Sequence, residues 1–215
     1  MTMRIDHVVL AVADLDGTAA TWESAGFVVT PRADHPFGTS NRLVVFDSTY
    51  VELVAVTRPD LVPGTGFAAD VTERLAHSGS GITHLALHTS DARSEAELRE
   101  ADVFDFSRPA PLVGGGETQA SFSLVVLDDR ERPGLFFCQH HTPEAVWTPA
   151  HVAHPNGASR ITSVELAGPR PVTLPVEDAI ALTRFDAAAD ILETDGVYPP
   201  FTIGSLELRS RPGAS

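Results

Sequence analysis

The chain repeats itself, and the repeat limits what it can fold into. Residues 4–12, RIDHVVLAV, return as GITHLALHT at residues 81–89, so His7 and His84 hold one position in two copies. Each copy continues through a short helix-like stretch and closes on an apolar strand, TYVELVAV at residues 49–56 and GLFFCQHH at residues 134–141. Between helix and closing strand lie two further strand-like runs, FVVTPR and RLVVFD in the first copy. The order is strand, helix, three strands, twice. Aligned on their apolar residues, the closing strands set Glu52 opposite Gln139. Two units that each deliver a His on the first strand and a Glu or Gln on the last could assemble a four-ligand metal site.

Local signals agree with this order. Alternation puts Ile5, His7, Val9 and Ala11 on one strand face and Asp6, Val8 and Leu10 on the other. Both faces are largely apolar, as for a strand covered on both sides. Asp14 or Asp16 is a fitting N-cap for the first helix and Gly26 its stop, while Ser90 or Asp91 caps the second. Gly114–Gly116 fall in a strand–strand loop, without the strand-to-helix context of a phosphate-binding turn.

These signals divide the chain into a first unit at residues 1–57, a linker with a short helix at 58–80, and a second unit at 81–142. A Pro/His-rich connection at 143–158 and a shortened third unit at 159–215 follow. In the third, Ser163 takes the His position, residues 176–185 a helix and Glu207 the Glu position. The expected fold is α+β: tandem βαβββ modules, two of them paired into a cup-shaped sheet, plus the shortened third.

Composition removes several function classes. A net charge of −14 lacks the basic footprint that nucleic acid demands and disfavours anionic membrane surfaces. No lysine occurs, which excludes lysine Schiff-base chemistry and the phosphate-loop lysine. The single cysteine, Cys138, lies in an apolar strand and reads as a small buried hydrophobe. Without a membrane-length apolar run or a leader-like start, the expected location is cytoplasmic.

A tandem βαβββ unit with His on strand one and Glu on strand four resembles the vicinal oxygen chelate superfamily, which includes glyoxalase I, extradiol dioxygenases and bleomycin-resistance proteins. IDHVVLAVADLDGTAATWESAGF is similar to its entry segment, and HPFGTSNRLVVFDSTYVELVAV to glyoxalase-like members with a HPxxGTxN loop before an ELV strand. The resemblance implies a divalent metal (Zn, Ni, Mn or Fe) held by His7, Glu52, His84 and Gln139, with Gln139 standing where glyoxalase I usually has Glu. Glu52, the one carboxylate of the set, is then the candidate catalytic base. His35, Asn41, Arg42 and His141 are candidate substrate contacts, His35 reading equally as part of the loop's turn chemistry and Arg42 more simply as a solvated strand residue. His151 and His154 suggest a His-bearing lid.

The expected activity is a metal-dependent lyase or isomerase acting on a small oxygenated metabolite through an enolate-type intermediate. One alternative is a metal-free small-molecule binding or resistance protein of the same fold. A second is an Fe(II) extradiol-type dioxygenase, disfavoured by Gln139 on the closing strand of the second unit. The odd number of units suggests that the third covers the other two or that two chains pair across a two-fold axis, and a homodimer is the expectation.

Overall fold

Both repeat units take the expected order, although the second strand of the first is Ala33–Asp34, after the FVVTPR run and not within it. The first comprises β1 (Ile5–Ala11), α1 (Leu15–Ser24), β2 (Ala33–Asp34), β3 (Thr39–Val45) and β4 (Tyr50–Val56). The second comprises β5 (Gly81–His88), α3 (Ala92–Arg99), β6 (Val103–Pro111), β7 (Glu117–Val126) and β8 (Gly134–His140). Helix α2 (Phe67–Ser78) lies in the linker between them. Short helix α4 (Pro149–Val152) then leads to β9 (Ile161–Ala167), β10 (Ala181–Ala187), β11 (Asp190–Thr194), β12 (Phe201–Ile203) and β13 (Leu206–Ser210). The computed structural model describes residues 4–127, 133–167, 181–187 and 190–211.

Of the candidate caps, Asp14 and Asp91 serve. Their carboxylates accept the backbone N–H of Gly17 and Ser94, each at 3.0 Å, satisfying donors that the first helical turn leaves free. Gly26, at φ +81°, ends the α1 region as its sequence position suggests.

The two units join edge to edge through antiparallel β1 and β5, giving one sheet in the order β2-β3-β4-β1-β5-β8-β7-β6. Within each unit the first strand pairs in parallel with the last, β1 with β4 and β5 with β8. The sheet curls until β2 meets β6, making a nearly closed cup. Its inner face carries Val9, Ala11, Tyr50, Ala86, Phe122 and Phe136. Helix α2 lays Val71 against the same face.

The outer face is equally apolar, because a second sheet lies behind it. Ile5, Val8, Leu10, Leu53 and Leu85 pack with Trp22 of α1 and with Ile161, Val164, Leu192, Leu206 and Leu208 of the tail. This double covering explains why β1 alternates so weakly between polar and apolar.

The tail strands form a five-stranded sheet, β10-β9-β11-β13-β12. It echoes the middle of the cup: β9 pairs with β10 in parallel and with β11 antiparallel, and β11 pairs with β13 in parallel. The described tail strands are wired as two parallel pairs joined antiparallel through β9 and β11. Ser163 and Glu207 lie on strands separated by β11, and Ser163 donates instead to Glu193 at 2.7 Å. The helix expected at residues 176–185 is a strand from Ala181 onward, and its earlier part lies outside the described residues.

Candidate active site

The cup encloses a cavity of about 370 Å³ lined by His7, His35, Tyr50, Glu52, His84 and Arg108 together with six phenylalanines. Strand periodicity delivers each polar group: Tyr50 and Glu52 alternate inward on β4, and Arg108 follows Phe104 and Phe106 on β6. Three of the four candidate metal ligands, His7, Glu52 and His84, therefore face one space.

Gln139 does not. It lines a separate, open, polar groove on the other side of the sheet with Asp91, Ser121 and His141. Its side-chain carbonyl accepts the Ala92 N–H at 3.0 Å and its amide donates to the Ser90 carbonyl at 2.8 Å, pinning the start of α3. Register explains the difference. Val9, two residues past His7, pairs with Glu52; Ala86, two residues past His84, pairs with Phe136. The counterpart of Glu52 in the second unit is thus Phe136, and the inward side chains of β8 include Phe136 and Cys138.

Asp6 is the polar group that the sequence misplaced. Between Ile5 and His7 the pairing with β5 slips by one residue, a β-bulge. Asp6 is fully buried and receives hydrogen bonds from His7 Nδ1 at 2.7 Å, His140 Nε2 at 2.9 Å and His88 Nδ1 at 3.3 Å. Burial alone would push its carboxyl up, but the bonds from His140, His7 and His88 outweigh that and hold it well below the usual carboxylate range. With Nδ1 donating to Asp6, His7 presents the Nε2 lone pair toward the cavity, 3.7 Å from Glu52 Oε2.

The HPFGTSN loop sets the other side of Glu52. Gly38, at φ +88°, turns the chain where a Cβ would press on the Arg58 carbonyl. The turn aims His35 and Asn41 inward. Asn41 Nδ2 donates to Glu52 Oε1 at 2.6 Å and lies 3.2 Å from His35 Nε2. Because that amide nitrogen can only donate, His35 Nε2 accepts and its Nδ1 donates to Thr39 Oγ1 at 2.8 Å. Burial lowers the pKa of His35 to about 4, against the opposing field of Glu52, so the ring is neutral at pH 7.

Arg42 and His141 stand apart from the cavity. Next to inward Asn41, Arg42 points outward and bonds Asp16 at 2.7 Å and the Thr30 carbonyl at 3.2 Å. His141, in the polar groove with Gln139, lies 2.7 Å from Ser123 Oγ. The expected His-bearing lid is also absent from the described residues: His151 Nδ1 donates to the Val146 carbonyl at 2.7 Å, and His154 Nδ1 accepts the Val28 N–H at 2.9 Å. Both are buried clasps for the connection.

Arg108 escaped the sequence reading although its spacing announced it. In VFDFSRPAP the inward positions run Phe104, Phe106, Arg108, Ala110, which sets an arginine on the apolar face. Its guanidinium is 5.8 Å from the Phe122 ring, and burial lowers its pKa against the field of Glu52.

His7, Glu52 and His84 line one cavity, but their ligand atoms do not all lie within 4.8 Å of one another. His7 Nε2 and Glu52 Oε2 approach each other, and His84 keeps Nδ1 buried without a partner while Nε2 lies 3.2 Å from Asp70. Two histidines and a carboxylate are a recurrent set for catalytic zinc or iron. A tighter group also exists: Asp6, His7, Cys138 and His140 offer ligand atoms within 4.8 Å of one another. Within it the imidazole–carboxylate distances are those of hydrogen bonds, and burial raises the Cys138 thiol well above its usual range. Glu52 and His84 lie outside that group.

Residues 5–177 match the sequence profile of a family described as a glyoxalase-like domain. The chain belongs to this family. Among solved structures, a hypothetical protein from Staphylococcus aureus is similar to this glyoxalase-like protein at TM-score 0.66 and 14% identity, over 97% of this chain and 100% of that one. Methylmalonyl-CoA epimerase from Mycobacterium tuberculosis gives TM-score 0.45 and 17% identity, over 63% of this chain and 87% of that one. A Streptomyces coelicolor methylmalonyl-CoA epimerase variant gives 0.43 and 20%, over 66% and 99%. No curated protein matches the sequence. The cup of paired βαβββ units is the architecture implied by the resemblance to the vicinal oxygen chelate superfamily. Among the described residues, no helix of this glyoxalase-like chain is long and apolar enough to cross a membrane.

Proposed function

We propose that the protein is a lyase or isomerase that takes a proton from carbon in a small oxygenated metabolite, with Glu52 as the base. The observation that carries this reading is the setting of Glu52: a buried carboxylate in an apolar cavity, tethered at Oε1 by Asn41, with Oε2 free of hydrogen-bond donors among the described residues. The Asn41 tether fixes the carboxylate and aims its other oxygen into the cavity. Neutral His35, accepting from Asn41, keeps that amide in place and adds no charge to compete for the Glu52 electron pairs.

His7, Glu52 and His84 are the residues that would hold a divalent cation. Bound there, such an ion would supply Lewis-acid stabilisation of negative charge on a substrate oxygen. The chain's own contribution is to set His7, Glu52 and His84 along one cavity, Asp6 fixing the tautomer of His7.

The test is metal content followed by proton exchange. Protein purified without chelator is expected to carry about one divalent ion per chain, as for a three-ligand catalytic site. His7→Ala and His84→Ala lose it, whereas Gln139→Ala keeps it. Glu52→Gln is expected to slow solvent-deuterium incorporation into accepted 2-hydroxy or 2-oxo compounds by about 10²- to 10⁴-fold. Full exchange by Glu52→Gln refutes the base.

A second reading, a metal-free small-molecule binder, is favoured by Phe136, an apolar ring at the counterpart of Glu52. It predicts ligand binding with no co-purifying ion. The dioxygenase reading loses ground, because the closing strand of the second unit offers no inward carboxylate.

A further inference from the structure

We infer that the cavity recognises a monocarboxylate with a ring-bearing apolar body, and that Arg108 is the residue that selects it. The inference rests on reading the cup as a small-molecule site and is independent of whether Glu52 acts as base.

Arg108 is only 6% exposed, yet no carboxylate among the described residues lies within ion-pair distance of it. Among the described residues, the one hydrogen bond of its guanidinium runs from Nη1 to the neighbouring Pro109 carbonyl, at 3.1 Å. A guanidinium carries five N–H donors, so most of this fork has no protein acceptor. A buried cation left in that condition is costly, and its planar fork matches a carboxylate in bidentate geometry. Arg108 is also the one arginine lining the cavity.

The surroundings define the rest of the ligand. Phe106 stacks between Phe104 and Phe122, with ring centroids 5.7 Å and 5.1 Å away, and forms an aromatic wall leading to Arg108. Phe37 stands edge-on to Phe106 at 6.0 Å. A ring sliding along this wall would meet π faces and ring edges on the way to the guanidinium. Glu52 shares the space, so a second negative charge on the ligand would face a carboxylate instead of a counter-ion. The cavity of about 370 Å³ sits at the small end of ligand pockets, which suits one ring on a short chain.

Calorimetric titration of the full chain with 3-phenylpropionate, its neutral amide and phenyl phosphate tests this. The acid is expected to bind at least about tenfold tighter than the amide, with the dianionic phosphate weaker than the acid. In Arg108→Gln the acid falls to the level of the amide while the amide is unchanged; in Glu52→Gln the acid binds at least as tightly as in the parent. Equal binding of acid and amide by the parent, an acid preference that survives Arg108→Gln, or preference for the phosphate would each overturn the assignment. The parent's acid–amide comparison decides the matter even where Arg108→Gln fails to fold. Absence of deuterium exchange in the parent protein, with its acid preference intact, would remove the catalytic reading and leave this one standing.

Discussion

Asp6 binds three imidazoles, and one extra residue in β1 makes that arrangement. Strict alternation sends Asp6 to the outer face, so nothing in the period of the strand reveals its place; a bulge is a pairing event, and pairing partners are remote in sequence. Removing a buried charge's partners strands the rest, and Asp6→Ala is expected to cost about 3 kcal/mol in urea unfolding. An unchanged midpoint would show that the three histidines do not depend on it. His154 supplies a pH dependence. Burial lowers its pKa, with the Val45 carbonyl and Asp47 opposing, and its Nδ1 must stay unprotonated to accept the Val28 N–H. The folded state therefore resists protonation that the unfolded chain accepts near pH 6.5, so this share of stability is complete above that pH and is lost as pH falls below it. Between pH 7 and 5, His154→Gln is expected to show a flatter fall in stability than the parent, measured by denaturant midpoints; parallel curves would contradict it.

At the scale of the element, the repeat identified which strands close each unit but not their register. Matching β4 to β8 by apolar residues alone set Glu52 against Gln139, three positions beyond the backbone counterpart, because both strands are apolar on alternate faces and slide without penalty on paper. The structure offers a marker that settles it: Gly134 pairs with His84 where Tyr50 pairs with His7. Tyr50 stacks on the His7 ring at 4.3 Å, whereas a Cβ at Gly134 would collide with the His84 ring. Gly134→Ala is thus expected to displace His84 into a new rotamer, visible as shifted imidazole resonances, with little change in the His7 signals. Retained His84 shifts would mean that the strand yields instead. Arg108, by contrast, was written in the period-two pattern of β6 and needed only that its face be followed.

The cup itself was legible, since two copies of one strand–helix–strand order leave few ways to pair apolar edges. The tail was less so, because its strands β11, β12 and β13 are short and the run read as a helix is a strand from Ala181 onward. Packing shows its role. Leu192 and Leu206 share a core with Leu10 and Leu85, so cup and tail are expected to unfold in one transition. Leu192→Ala is expected to destabilise the molecule by roughly 2–5 kcal/mol and to move tryptophan fluorescence and far-ultraviolet dichroism together. Two separated transitions would argue that the sheets are independent domains.

The layer behind the cup carries a consequence for synthesis in the cell. Translation finishes the bowl about seventy residues before the strand Leu206–Ser210 leaves the ribosome, so a greasy wall waits uncovered while the last segment is made. A nascent chain stalled near residue 158 would be a ready client for chaperones, and the risk ends only when the final strands dock.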